Sequence, residues 1–119
     1  MFCTSLEPRH YEFIKELGYI PAAVGEKNFQ DGWLRDNSKE NISKKNKNYA
    51  ELTFHYWFWK NYLKTCESRW IGFCHYRKFW TNKNHKDLDI NIRNLSSLVL
   101  KSVPEDLEKY DVILGEPFY

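Results

Sequence analysis

The apolar run that begins at Trp70 gives way to His75, Tyr76 and Arg77, so a segment that reads as a strand ends in an imidazole, a phenol and a guanidinium. A guanidinium offers a planar fork of donors that suits phosphate oxygens, and an imidazole can donate to such an oxygen or carry a proton. With Lys78 beside them, these residues form the first candidate site. The plain alternative is a strand end whose tyrosine packs and whose basic groups are solvated. A second concentration lies in "LRDNSKENIS", where Arg35, Asp36, Asn37, Asn41 and Ser43 gather hydrogen-bonding groups suited to sugar hydroxyls, a ribose or a base edge. Asx-turn chemistry in a solvated loop explains the same residues. Glu51 and His55, one helical turn apart, could supply two metal ligands with Cys74 or His75 added, although a satisfied pair bridging helix and strand is the plainer reading. No HExxH, CxxC or phosphate-loop pattern occurs, and "GEKNFQDG" is not a nucleotide fingerprint. Lys39, Lys44, Lys45 and Lys47 could meet phosphates, and a solvated basic loop accounts for them equally well.

The elements that position these groups alternate between strand and helix. Met1–Ser5 is short and β-prone, and Pro8 stands where a first helical turn tolerates it, ahead of Tyr11, Phe13, Ile14 and Leu17, with Gly18 closing the helix. "YIPAAVG" reads as a second strand ended by Gly25. Residues 26–47 show no sustained period and read as one long loop. Asn48 then caps a helix, with Glu51 at the third helical position, that runs from about Tyr49 to Cys66. Along it, Leu52, Tyr56, Trp59 and Leu63 make one apolar stripe, expected on the buried face. Glu51, His55, Phe58 and Tyr62 form the stripe beside it, and Lys60 and Lys64 face water. "RWIGFCHY" is expected as a central strand because its apolar residues alternate little. A polar loop from Thr81 to Asp89 follows. "INIRNLSSLVL" is ambiguous between strand and helix and is taken as helix on its leucine spacing. "PEDLEKY" gives a short helix and "DVILGEP" a last strand. The fold class is therefore α/β, a mostly parallel sheet flanked by helices, and ligands of such sheets bind outside the carboxyl ends of the strands.

The 119 residues suit one domain. A net charge of +2 is too small to favour nucleic acid on electrostatics, and a single-stranded nucleic-acid binder using aromatics and lysines is the weakest reading. Five Trp, eight Tyr and eight Phe point instead to a packed core or to stacking on rings and sugars. Cys3, Cys66 and Cys74 make neither a disulfide framework nor a zinc knuckle, which fits a reducing cytoplasm. No run is long enough to span a bilayer and no secretion signal opens the chain, which leaves peripheral membrane association open.

"RDNSKENISKKNKNYAELTFHYWFWKN" followed by "WIGFCHYRKFW" resembles the family of bacterial capsular and exopolysaccharide biosynthesis proteins built on a domain of unknown function, whose members are taken to be glycosyltransferases with a GT-A-like fold. That family carries a D-N-x-G-x-N-I-S loop, an N-x-x-Y-x-E-L-T helix continued by Y-W-x-W-K-N, and a strand ending G-x-C-H-Y-R-R. The match is strong over about residues 20–80, and "LEKYDVILGEPF" extends it more weakly. It points to Asp36, Asn37, Asn41, Ile42 and Ser43 in the loop, to Tyr49, Glu51, Trp57, Trp59, Lys60 and Asn61 on the helix, and to His75, Tyr76 and Arg77. Lys39 stands at the family's usual glycine and Lys78 at its second arginine, which weakens bidentate phosphate binding there.

The resemblance implies a Rossmann-like domain of GT-A type, the N-terminal part of a longer one, that binds a nucleotide-sugar donor and serves a glycan acceptor. His75, Tyr76 and Arg77 would meet the diphosphate, and Arg35, Asp36, Asn37, Asn41, Ser43 and Glu51 would shape the nucleotide or sugar pocket. Any transfer base would lie beyond Tyr119. If the strands correspond, Cys74 to Arg77 fill the place where GT-A-like enzymes usually carry a metal-holding Asp-x-Asp, so cationic and hydrogen-bonding groups would do the metal's work. A divalent cation, manganese or magnesium, is not excluded, since Asp36, Asp87 and Asp89 offer oxygen ligands. A non-catalytic carbohydrate-binding or scaffold module is the alternative from another class.

Overall fold

The structure, a computed structural model, describes residues 1–82 and 89–116. The chain builds β1 (Phe2–Ser5), α1 (Tyr11–Glu16), β2 (Ile20–Ala23), β3 (Leu34–Arg35), α2 (Asn46–Tyr49), α3 (Leu52–Asn61), β4 (Phe73–His75) and α4 (Leu95–Leu98). The four strands form one sheet in the order β3-β2-β1-β4, every neighbouring pair parallel. The α/β fold class is therefore as the alternation of elements required. Pro8 opens a 3-10 turn that leads into α1, and Gly18 closes it at φ +77°, a conformation that costs glycine little.

Side chains on the strands alternate between two apolar layers, as a parallel sheet covered on both faces demands. Cys3, Ala23 and Cys74 face Ile14 of α1 and Leu17 just after it, with Leu95 and Val99 completing that layer. Phe2, Ala22, Val24 and Phe73 face Phe54, Trp57 and Phe58 of α3. Cys3 and Cys74 are register partners, and the neighbouring Cys3 thiol, together with burial, pushes the Cys74 thiol far above its ordinary range. All three cysteines are free.

Several expectations need correction. The helix expected from Tyr49 to Cys66 is broken: α2 stops at Tyr49, α3 runs only from Leu52 to Asn61, and a 3-10 turn covers Leu63–Thr65. The break sits at Ala50, whose φ of +46° and ψ of −129° an alanine rarely adopts. Asn46, rather than Asn48, holds the bend, its Nδ2 donating to the Ala50 carbonyl at 2.9 Å, and no side chain caps α3. The buried face of α3 is Thr53, Phe54, Trp57 and Phe58, while Leu52, Trp59 and Leu63 are exposed. Because the helix is apolar nearly all round, periodicity could not choose the face, and packing on Phe2 and Phe73 chose it.

β4 is half-buried and, among the described residues, lies at the sheet edge rather than its centre. Trp80 covers that edge, its indole N–H donating to the Phe73 carbonyl at 2.8 Å. The long loop of residues 26–47 contains β3 and a 3-10 turn at Ser43–Lys45. Residues 111–116 form no strand, and Val112 and Leu114 stand exposed with no ladder to join. Pro117 lies outside the described residues, as does most of the expected Thr81–Asp89 loop, Asp87 included.

Candidate functional site

In a parallel sheet every strand delivers its carboxyl end to one edge, and here that edge collects the residues singled out by type. The chain lays down β1, then β2 and β3 on one side, and returns with β4 on the other side of β1. The switch point therefore falls between β1 and β4, where open α/β sheets form a ligand crevice.

β4 ends there in a tight turn. The Lys78 amide donates to the His75 carbonyl at 2.8 Å, which places Tyr76 and Arg77 at the two central positions and displays them beyond the strand. Strand alternation sends His75 to the α3 face, where the Glu51 carboxylate favours its charged form, and Tyr76 to the α1 face. The Tyr76 ring is the hub. His10 stacks on it with centroids 4.7 Å apart, the His75 ring lies at 4.3 Å, and the Arg77 guanidinium carbon sits 5.2 Å from its centre. Ser5, the last residue of β1, approaches His10 Nδ1 at 2.8 Å and accepts the Glu7 amide at 3.0 Å. Burial holds both imidazoles below the ordinary histidine range, and for each a nearby carboxylate opposes it, Glu7 at His10 and Glu51 at His75.

The second group sits on the opposite flank, three strand spacings or about 14 Å away. There the residues are largely spent on structure. Arg35 donates to the Gly25 and Lys27 carbonyls at 3.1 and 3.3 Å and lies over Phe29. Asn41 closes an Asx turn, its Oδ1 accepting from the Ser43 amide and hydroxyl, and Asn37 is exposed. Lys39 takes φ +51°, the left-handed geometry that a glycine adopts at least cost. Asp36 is wholly buried, its Oδ2 accepting from the Thr53 hydroxyl at 2.6 Å while Oδ1 has no partner. It is thus enclosed beneath the α2–α3 bend rather than open to a ligand.

Burial raises the Asp36 carboxyl above its ordinary value, with the Thr53 hydrogen bond opposing the rise. The folded state then binds more protons than the unfolded one between the two values, so this carboxyl makes stability fall as pH rises from about 3.9 through the folded value. Asp36→Asn is expected to flatten that part of the profile, which urea midpoints at a series of pH values would show. Parallel profiles would contradict the assignment.

Between the flanks, over the ends of β1 and β2, opens a cleft of about 420 Å³ with Leu6 and Gly25 in its lining and Glu7, Glu26, Lys27, Lys44 and Lys47 around it. Lys27 is paired with Glu7. Among the described residues no group of three or more His, Cys, Asp or Glu could hold a metal ion, so Glu51, His55, Cys74 and His75 do not assemble a metal centre. Residue type and order singled out the β4 turn and Glu51 as candidates, but not Ser5 or His10, which the strand order brings beside that turn. The signal for those two was positional, since they close and follow the strand beside which the chain reverses direction.

These features define a Rossmann-like α/β domain, its strands in 3-2-1-4 order and its polar residues gathered at the switch point. The chain belongs to the family described as Domain of unknown function (DUF4422), whose model matches residues 6–119. No curated protein and no solved structure matches the chain. No helix among the described residues is long and apolar enough to cross a membrane.

Proposed function

We propose that this domain binds a nucleotide-sugar donor and belongs to a glycosyltransferase of hexosyltransferase type that extends a capsular, exopolysaccharide or lipopolysaccharide-type glycan in the cytoplasm. The observation that carries the reading is the β4 turn at the switch point, which displays Tyr76 and Arg77 beside His75 and His10. Arg77 would neutralise charge on the departing diphosphate, and the two imidazoles would donate to its oxygens. The lysine-rimmed cleft is large enough for a small-ligand group and continues the site across β1 and β2. The GT-A-type sugar chemistry rests on the motif resemblance set out above, which fold analogy alone would not supply.

The test is the thermal midpoint of the protein with UDP, GDP, CMP and their sugars, each with and without manganese. A ligand that binds the folded state at a hundred times its Kd stabilises by about 2.7 kcal/mol, which moves the midpoint by several degrees. A shift with one nucleotide that persists without manganese is expected. No shift with any donor would sink the reading.

The exposed aromatic face of α3 favours a second reading, a carbohydrate-binding or scaffold module. Trp59 is 56% exposed, Tyr56 lies 5.9 Å from it and Lys60 sits over its ring at 4.2 Å. Such a surface can stack on sugars. On this reading Trp59→Ala abolishes glycan retention on an affinity gel while changing stability by no more than about 0.5 kcal/mol. Retention unchanged by the substitution would remove Trp59 from any glycan site.

A further inference from the structure

We infer that Asp36 is a positioning residue: through Thr53 and Asn46 it holds the strained bend at Ala50, and that bend seats Asn46 and Lys47 in the wall of the cleft over β1 and β2. The inference rests on the donor-binding reading for its ligand, a nucleotide-sugar, but not for the clamp that holds the wall.

A helix of one turn cannot support itself, because nucleation fixes several residues for a single hydrogen bond. α2 is four residues long and, among the described residues, no side chain caps it, so its place must be set from outside. One polar cluster does so. Asn46 Nδ2 donates to the Ala50 carbonyl at 2.9 Å and to the Thr53 hydroxyl oxygen at 3.2 Å. Thr53 Oγ1 in turn lies 2.6 Å from Asp36 Oδ2 and 3.0 Å from the same Ala50 carbonyl. The Ala50 amide donates to the Asn46 carbonyl at 2.8 Å, so both sides of the bend are tied to one asparagine. The Ala50 carbonyl can only accept, which orients the Asn46 amide whatever the charge on Asp36. Asp36 and Thr53 are wholly buried, and water does not compete for their contact. Because Asp36 directly follows β3, the cluster fastens α2 to the sheet.

Ala50 shows what the clamp works against. Its φ of +46° and ψ of −129° suit glycine, and such backbone persists only where its surroundings over-determine it, commonly beside a ligand site. The cleft supplies that site. Asn46 lines it together with Lys44 and Lys47, which precede and follow it in the chain. A methyl group in place of a Gly25 hydrogen, just past β2, would lie 3.6 Å from Asn46 Oδ1. The nitrogen of this amide thus ties the bend while its oxygen reaches the carboxyl edge of the sheet.

The deciding experiment joins thermal midpoints of the ligand-free protein to calorimetric binding of UDP, GDP and CDP. Ala50→Gly should raise the midpoint by several degrees, and the gain should vanish where Asn46→Ala has already released the bend. Asp36→Ala should weaken binding of the nucleotide that the wild type takes by about 10-fold, whereas Asp36→Asn, whose amide oxygen still accepts from Thr53, should stay within about 3-fold. Lys47→Ala should weaken binding about 5-fold alone and have no further effect beside Asp36→Ala, a coupling that a merely structural role would not produce. If Asp36→Ala does not fold, Thr53→Val, which keeps the shape and removes the hydroxyl, takes its place in both comparisons. A midpoint that Ala50→Gly leaves unchanged or lowers, or a gain that survives Asn46→Ala, overturns the clamp. Lys47 and Asp36 effects that simply add overturn the positioning role. A wild type that binds none of the three nucleotides overturns both the donor reading and the positioning role, and the midpoints show whether the clamp fails with them.

Discussion

Phe54→Ala is expected to lower the unfolding free energy by about 3–5 kcal/mol, a large share of the roughly 5–15 kcal/mol that a domain of this size possesses. Phe54 is fully buried and is a central ring of an aromatic layer, 6.0 Å from Phe2, 5.7 Å from Trp57 and 6.3 Å from Phe73. Truncation removes the transfer energy of the ring and leaves a cavity that α3 cannot close without losing its seat on the sheet. Urea unfolding measures the loss, and Leu52→Ala supplies the control. Leu52 lies on the same helix but is 54% exposed, so its truncation is expected to cost less than about 1 kcal/mol. Equal losses at the two positions would mean that α3 presents the Leu52 stripe to the sheet after all.

Arg77→Ala is expected to weaken nucleotide-sugar binding by about 10- to 100-fold, the range set by losing charge-assisted hydrogen bonds worth roughly 1.5–3 kcal/mol. The guanidinium is exposed and, among the described residues, lies against the Tyr76 ring, so the unfolding midpoint of the ligand-free protein should not move. Arg77→Lys should recover only part of the affinity, since an ammonium keeps the charge and loses the fork. Titration calorimetry of the three proteins with the donor found by thermal shift checks the order. An alanine variant that binds as the wild type does would place the diphosphate elsewhere, the lysine-rimmed cleft being the next place to look.

Strand and helix order could be read from the sequence wherever local chemistry decided it. Pro8 and Gly18 bracket α1, and Gly25 follows β2, because proline and glycine act on backbone geometry without help from distant residues. The face of α3 could not be read, since Leu52, Phe54, Trp57, Phe58 and Trp59 leave no polar side and only Phe2 and Phe73 select among them. The two-residue strand β3 was hidden for a related reason: Leu34–Arg35 has no pattern of its own and exists because β2 offers it a ladder. At the candidate site, residue type singled out Arg77 and His75, and the strand order sets them at the sheet's carboxyl edge. It could not foresee the burial of Asp36, whose carboxyl is indistinguishable in sequence from an exposed one until Thr53 and the α2–α3 bend enclose it. Ser5 and His10 carry meaning only through the strand order, which no local pattern contains.

The pairing of β1 with β4 joins segments that are far apart in the chain: the Thr4 hydroxyl that meets the Cys74 carbonyl does so across 70 positions. The β1–β2 pair closes a short loop and can form early, whereas β4 must wait for the intervening residues and for the entropy of a long closure. During synthesis β1 therefore has one edge uncovered until the segment through His75 has left the ribosome. Ser5 and His10 acquire Tyr76 as a neighbour only at that late stage. Residues 5 and 76 thus become neighbours only through the pairing of longest sequence separation in the sheet, and a chain in which only the β1–α1–β2 unit had formed would carry Ser5 and His10 without Tyr76 beside them.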